Sequence, residues 1–354
     1  MAARPVSNPP NPWMRSAEGG YEVEWLGAPP EARVEVFEES ARSIITRNDS
    51  PDVPFSFGIN AYRGCQHACA YCYARPGHQH LGLGAGTDFD TKIVVKANAE
   101  RLLREELARG RTGPAGRRDW LAMSGVTDPY QPLEASFALT RRLLEACLEF
   151  RQPVGLITKS ALVRRDAELL GRLTRTAGSR VFLSIPFASE EDARALEPWA
   201  PSPRLRFDAL TALRDQGVPT GVSLSPMIPG LNDHAIPEIL QRAAEAGATR
   251  AFMILLRLPA EVAPVFEQRL RATFPDRAGR VLGQLEQCRQ DQASRAAFGA
   301  RMAGSGPRWQ AVEDVFNLWC RRLGLEVGEG ERVEPLTPGA GSPPAPIQRE
   351  LFGD

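Results

Sequence analysis

The sequence predicts an α/β protein built on a partial (β/α)6 TIM-like barrel, with extra C-terminal helices and flexible tails. Six short apolar runs alternate with amphipathic helical patterns, which is the order that builds parallel sheets from βαβ units. An apolar fraction of 43% and a charged fraction of 24% over 354 residues are typical of a globular chain. No G-x-G-x-x-G follows the first run, which disfavours a dinucleotide-binding sheet. An open doubly wound sheet stays as the alternative, because the order of elements alone does not separate the two architectures.

The predicted strands are residues 55–61, 120–124, 154–158, 181–185, 220–224 and 251–256. The helices between them are expected from leucine stripes at helical spacing, such as Leu139, Leu143, Leu144 and Leu148. In such a barrel the functional side chains stand at the C-terminal ends of the strands.

Four regions are predicted along the chain. Residues 1–50, rich in proline near their start, form an N-terminal arm or wrapping segment, and 51–260 form the barrel. A C-terminal helical segment, 261–327, has helical patterns at 261–273, 280–291 and 309–323 that could cover the open side of the barrel. Residues 328–354, rich in glycine and proline, form a flexible tail.

Composition excludes several classes of protein. The 43 basic and 43 acidic residues cancel, so a histone-like nucleic-acid binder is not expected and any phosphate contact must come from a local patch. No run of about 18 apolar residues occurs and the N-terminus lacks the apolar core of a signal peptide, so we expect a cytoplasmic protein with no membrane contact. Only three lysines, Lys92, Lys96 and Lys159, stand among 40 arginines, which draws attention to each of them.

Three of the six cysteines, Cys65, Cys69 and Cys72, have the spacing C-x3-C-x2-C directly after the first predicted strand. A chance hydrophobic cluster is one explanation, since free cysteines serve as small apolar residues. Structural zinc is another, with His67, His78 or His80 as the fourth ligand. The third is a 4Fe-4S cluster in which three thiolates leave one iron open to a small molecule. Cys147, Cys288 and Cys320 are isolated and are predicted to be core thiols.

The three-cysteine loop, with an aromatic residue before its last cysteine, resembles that of the radical S-adenosylmethionine (SAM) enzymes. The resemblance implies that Cys65, Cys69 and Cys72 bind a 4Fe-4S cluster, that the open iron takes the amino and carboxylate groups of SAM, and that Tyr71 lies near the adenine. It also implies reductive cleavage of SAM to a 5′-deoxyadenosyl radical that abstracts hydrogen from a substrate. An electron donor such as flavodoxin or ferredoxin is then required.

Four further segments, 60–65, 127–134, 158–160 and 226–233, are similar to the spore photoproduct lyase-like branch of that superfamily. By this resemblance the cofactor-binding candidates are Ser124, Thr127 and Asp128 after the second strand, Lys159 after the third and Ser184 in the fourth. Simple explanations compete: Thr127 and Asp128 could only complete a turn, and Lys159 could face solvent.

One departure concerns the substrate. The lyase has a cysteine beside the turn after its second strand that returns hydrogen to the repaired base, whereas this chain has Gly125 and Val126 there. The prediction is therefore a radical SAM enzyme whose substrate is a nucleic acid or nucleobase, as in DNA repair, without the lyase's own reaction. The alternative is a non-catalytic zinc or iron-sulfur module tethered to a DNA-bound partner.

The chain ends in a short motif, Gln348-x-x-Leu351-Phe352, after the glycine- and proline-rich stretch. It is similar to the peptides by which bacterial DNA-processing proteins dock on the DNA sliding clamp. The competing explanation is that Leu351 and Phe352 pack onto the barrel.

Overall fold

The computed structural model describes residues 4–6, 34–50, 55–113, 118–289 and 304–328. The predicted tail beyond residue 328, with Gln348, Leu351 and Phe352, lies outside the described residues.

The main sheet has eight strands in the order β12-β11-β10-β9-β8-β7-β4-β3. Its strands are β3 (Ile45–Arg47), β4 (Phe57–Ile59), β7 (Leu121–Met123), β8 (Val154–Thr158), β9 (Ser179–Ser184), β10 (Thr220–Met227), β11 (Arg250–Leu255) and β12 (Glu326–Val327). Every neighbouring pair is parallel except β3 with β4. The edge strands β3 and β12 do not pair with each other in the described part of the chain, so the barrel is partial, as predicted. All six predicted strands are present, with ends shifted by at most three residues.

Helices connect the parallel strands and cover the outside of the sheet. They are α1 (Thr87–Thr91), α2 (Ala99–Ala108), α3 (Glu134–Phe137), α4 (Leu139–Glu149), α5 (Ala167–Thr176), α6 (Glu190–Leu196), α7 (Pro203–Asp215), α8 (Ile236–Glu245), α9 (Ala263–Thr273), α10 (Pro275–Gln287) and α11 (Gly306–Leu323). The three predicted C-terminal helices correspond to α9, α10 and α11. Helix α11 packs against α8, and the chain then adds β12 to the edge of β11. No described helix is long and apolar enough to cross a bilayer.

A second sheet was missed by the sequence prediction. It has the order β1-β2-β6-β5 and consists of β1 (Arg4–Val6), β2 (Glu35–Glu39), β5 (Tyr62–Arg63) and β6 (Lys92–Lys96). Strand β2 pairs in parallel with β6, although more than fifty residues separate them in the chain. The described part of the predicted N-terminal arm thus contributes β1 and β2 to this sheet and β3 to the barrel. The four regions predicted along the chain stay predictions.

One contiguous apolar core lies between the barrel and its helices. Cys147, Cys288 and Cys320 are fully buried in it, which confirms the prediction that they are core thiols. The three clustered cysteines instead lie on the segment that leaves β5 and leads to a 3-10 helix, Arg75–Leu81.

Candidate functional site

A cavity of about 690 Å³ opens at the C-terminal ends of the barrel strands and extends into the barrel. All nine residues proposed from the sequence line it: Cys65, Cys69, Tyr71, Cys72, Ser124, Thr127, Asp128, Lys159 and Ser184. These residues come from four different strand ends, and the parallel sheet brings them together because all its C-terminal ends lie on one side.

Two consecutive turns shape the cysteine loop. The backbone N–H of Ala68 donates to the Cys65 carbonyl, and that of Cys72 donates to the Cys69 carbonyl. The loop begins at Gly64, whose φ of +79° favours glycine. A Cβ there would lie 2.9 Å from the carbonyl oxygen of Phe89, so a larger residue would strain and displace the loop.

The three thiols are the kind of sulfur ligand that an iron-sulfur cluster needs. Cys65 and Cys69 are buried and Cys72 is partly so, and none forms a disulfide. Burial raises the pKa of Cys69, and burial together with the nearby Cys65 side chain raises the pKa of Cys72 to about 11. Iron bound to these sulfurs would offset that cost, because a coordinating thiol loses its proton. No group of three or more His, Cys, Asp or Glu side chains in the described part of the chain converges as the ligands of one metal ion.

Hydrogen bonds join the cysteine loop to the turn after β7. The Thr127 hydroxyl donates to the Gly64 carbonyl (2.7 Å), and the Gln131 amide donates to the same oxygen (3.2 Å). In return the backbone N–H of Gln66 donates to Gln131 Oε1 (3.0 Å). Thr127 therefore braces the loop, and its predicted contact with SAM stays a prediction.

Asp128 is surrounded by donors from this chain. Thr158 Oγ1 donates to its Oδ1 (2.6 Å), and the Lys159 backbone N–H donates to its Oδ2 (2.8 Å). Nδ1 of His67 lies 3.3 Å from the same Oδ2. Burial alone would raise the pKa of Asp128, but His67 and these hydrogen bonds lower it to about 2. The carboxylate thus fixes the start of the segment after β8, and its predicted contact with SAM also stays a prediction.

His67 is a site residue that the sequence offered only as a zinc ligand. Burial lowers its pKa, but the carboxylate of Asp128 and the side chain of Cys65 raise it to about 9. The ring is fully buried and lines the cavity. Its Nε2 is buried and has no hydrogen-bond partner among the described residues.

Lys159 and Tyr71 belong to a second buried network. Lys159 Nζ donates to Ser184 Oγ (2.8 Å), lies 3.7 Å from Glu197 Oε1 and stands 5.6 Å from the centre of the Tyr71 ring. The Tyr71 hydroxyl donates to Glu197, and Arg206 pairs with the other carboxylate oxygen. Burial raises the pKa of Glu197, but Arg206 and Lys159 outweigh it and lower the value. The alternative of a solvent-facing Lys159 is wrong, since its side chain is 15% exposed.

Ser124 occupies a strained backbone position at the mouth of the barrel. Its φ of +126° is rare for any residue except glycine. The Ile157 backbone N–H donates to its Oγ (3.1 Å), and the Tyr73 hydroxyl donates to the carbonyl of Gly125 (3.2 Å). Tyr73, 56% exposed, is a further cavity residue that the sequence prediction did not select.

Comparison with known proteins identifies the family. The family model of the radical SAM superfamily matches residues 59–243, which is just over half of the chain. The chain therefore belongs to the radical SAM superfamily and is an enzyme of that superfamily. Membership implies use of SAM and a 4Fe-4S cluster, and it disfavours the alternative of a non-catalytic tether.

The chain is also similar to individual proteins. An uncharacterised protein of Mycobacterium tuberculosis is 38% identical over 208 residues, which are 58% of this chain and 60% of that protein. This chain thus spans less than two thirds of that curated relative. A protein of Pseudomonas phage M6, named a radical SAM Nalpha-GlyT isomerase, is 25% identical over 79% of this chain and 54% of its own length. A solved structure, spore photoproduct lyase complexed with dinucleoside spore photoproduct, has a TM-score of 0.56 and 18% identity over 82% of this chain and 81% of that one, which shows a shared fold.

Proposed function

We propose that this radical SAM enzyme holds its cluster on Cys65, Cys69 and Cys72, binds SAM in the adjoining cavity and acts on a nucleic acid or nucleobase. The observation that carries the proposal is that the three thiols and all the predicted cofactor-binding residues line the same cavity. When bound, the cluster supplies the electron that cleaves SAM reductively.

The chain's own residues would position SAM. Lys159 places a cation beside Ser184 and the Tyr71 ring, where it suits a carboxylate or the ribose hydroxyls. The Tyr71 ring is held by its hydroxyl on Glu197, so it offers a fixed apolar wall. Ser124 adds a hydroxyl at the end of the neighbouring strand β7.

Two lines of support favour a nucleic acid or nucleobase substrate. The lyase with this fold has been solved with a dinucleoside ligand. The described residues that line the cavity also carry more positive than negative charge, which suits a phosphate-bearing molecule. The lyase's own repair reaction is not proposed, because Gly125 and Val126 supply no thiol. A small electron-transfer protein such as flavodoxin or ferredoxin is the proposed reductant.

Anaerobic reconstitution tests the proposal. The loaded protein should be brown, hold about four irons per chain and form 5′-deoxyadenosine from SAM on reduction with dithionite. Cys69→Ala should lose the iron and the product. Cys147→Ala is the matched control, because Cys147 is an equally buried thiol in the apolar core, and it should keep both.

Two results would contradict the proposal. One is a colourless wild-type protein that holds a single zinc ion. The other is an iron content that falls equally in Cys69→Ala and Cys147→Ala, since this would show that loss of any buried thiol disrupts the fold.

A further inference from the structure

Three small residues lie side by side on the inner face of the barrel. Gly58 of β4 is the register partner of Ala122 on β7, and Ala122 is the partner of Gly155 on β8. All three line the cavity, below the level of the cysteine loop. We call Gly58, Ala122 and Gly155 the small-residue row. Its next register partner, on β9, is Arg180.

Neither backbone conformation nor packing requires glycine in this row. Neither Gly58 nor Gly155 has a positive φ. A Cβ on Gly155 would come no closer than 3.9 Å to any other atom, and one on Gly58 no closer than 3.5 Å. Gly221, on β10, differs, because a Cβ there would lie 2.2 Å from the Phe182 ring.

Glycine inside a strand costs about 0.5–1 kcal/mol relative to alanine, and it often marks the close approach of a ligand. Since the protein's own atoms leave room for a Cβ at ordinary contact distance on Gly58 and Gly155, the missing side chains enlarge the cavity. The row therefore forms a flat surface inside the barrel.

Aromatic rings surround this surface. The Trp120 ring is the side chain nearest to a Cβ placed on Gly155. The rings of Phe182 and Phe252 meet edge to face, with their centroids 5.1 Å apart. All three line the cavity. The buried Nε1 of Trp120 has no hydrogen-bond partner within the described ranges. The rings and the small-residue row together leave a space whose shape suits a flat ring.

The charge of the lining favours an anion. Among the described residues of the cavity wall, four are arginine or lysine: Arg47, Lys159, Arg180 and Arg257. Arg47 pairs with Asp49 at 2.9 Å and Lys159 lies 3.7 Å from Glu197, whereas His67 faces Asp128. The one carboxylate in that part of the wall is Asp128, whose oxygens already accept from Thr158 and the Lys159 backbone. Arg180 stands 5.7 Å from the centre of the Trp120 ring, next to the small-residue row.

We propose that the small-residue row is the floor of a substrate subsite that takes the base of a nucleotide unit, with its phosphate drawn to the cationic wall. The choice of a nucleotide rests on the proposed function, whereas the room for a flat ring rests on the row itself. The subsite lies deeper in the barrel than the thiols, so it leaves the mouth of the cavity to SAM.

Equilibrium dialysis of the anaerobically purified holoenzyme tests this subsite without any turnover. The probes are the four deoxynucleoside 5′-monophosphates and the matching deoxynucleosides. At least one monophosphate should bind, and its nucleoside should bind about tenfold more weakly, because it lacks the charged group. Gly155→Val should weaken binding of the monophosphate by about tenfold or more, because the added methyl groups fill the space that the base would occupy.

Two measurements separate loss of the subsite from loss of the fold. Gly155→Ala adds one methyl group that contacts nothing within 3.9 Å, so it should fold normally and give a smaller loss of affinity. Gly279→Ala, on α10 with open space around it, is the control and should bind as the wild type does. Iron content and the thermal midpoint report on the fold of each variant. The monophosphate should also quench Trp120 fluorescence, measured as the difference from Trp120→Phe.

The proposal is overturned if no monophosphate binds, or if Gly155→Val binds as tightly as the wild type. Equal affinity for nucleotide and nucleoside would contradict the part of the proposal that places the phosphate at the cationic wall. A wild type that binds nucleotide as described and forms no 5′-deoxyadenosine would instead contradict the proposed function and leave the subsite standing.

Discussion

Replacing Glu197 with glutamine should destabilise the folded protein far more than removing a surface carboxylate. Glu197 is fully buried and pairs with Arg206, which is also fully buried. It also accepts from Tyr71 and lies near Lys159. Removing one partner of a buried pair leaves the other charge uncompensated, which costs about 3–5 kcal/mol of unfolding free energy. For a chain of this length that corresponds to a fall of about 4–8 °C in the thermal midpoint.

The matched control is Glu267→Gln on α9. Glu267 pairs with Arg271 at 2.6 Å, but both side chains are about half exposed. Solvent screens such a pair, so its loss should cost less than about 1 kcal/mol.

The pH dependence follows from the lowered pKa of Glu197, whose ordinary value is 4.5. A carboxyl with a depressed pKa stabilises the folded state fully above its unfolded pKa, and the contribution is lost as the pH falls through the folded pKa. The difference between the wild type and Glu197→Gln should stay constant from about pH 6 to 8 and shrink below about pH 4.5.

Urea denaturation, followed by far-ultraviolet circular dichroism under anaerobic conditions, measures both quantities. Equal losses of unfolding free energy in Glu197→Gln and Glu267→Gln would refute the reasoning. So would a difference between wild type and Glu197→Gln that grows toward acid pH.

Three further predictions concern the cofactor end of the cavity. Lys159→Arg should weaken SAM binding by about tenfold in isothermal titration while keeping the iron, because the longer guanidinium side chain does not fit the gap between Ser184 and Tyr71. The control Lys92→Arg, at the surface, should have no effect on SAM binding. Gly64→Ala should lower the iron bound per chain, because its Cβ meets Phe89, whereas Gly82→Ala, with a similar φ of +74° and open space around it, should retain the wild-type iron content. Thr127→Val removes the hydroxyl that donates to the Gly64 carbonyl and should cost about 1–2 kcal/mol of unfolding free energy. The variant should also lose iron to a chelator faster than the wild type does. An unchanged rate of iron loss would show that Gln131 alone holds the loop.

The barrel could be predicted because its signals are local in the sequence. The second sheet was missed because its strands pair across distant parts of the chain. Each of the six predicted barrel strands is an apolar run beside an amphipathic helix, so its signal lies within about thirty residues. Strand β2 has the sequence EVFEE, which shows no clear alternation, and its partner β6 lies in a distant part of the chain. Short strands of this kind are defined by their partner more than by their own sequence.

The same distinction applies to the site. The three cysteines and Tyr71 lie within eight residues, so their spacing alone identified them. Glu197 is one acid among 43 and nothing in its neighbourhood marks it. Its partner could have been found: Arg206, Leu210 and Leu213 fall on one stripe of α7, and an arginine on an apolar stripe needs a buried carboxylate.

The two ends of the cavity are built by different elements, and this makes their defects separable. The thiol end depends on the loop after β5 and its bonds to the turn after β7, with Gly64 at the point of contact. The end of the cavity at the small-residue row depends on backbone atoms in the middle of β4, β7 and β8. The sheet fixes these atoms whether or not the cysteine loop is ordered. Gly64→Ala should therefore lose iron and keep nucleotide affinity, while Gly155→Val should lose nucleotide affinity and keep iron. If the two losses always occur together, the cavity acts as one site, and the row is part of the cofactor's own surroundings.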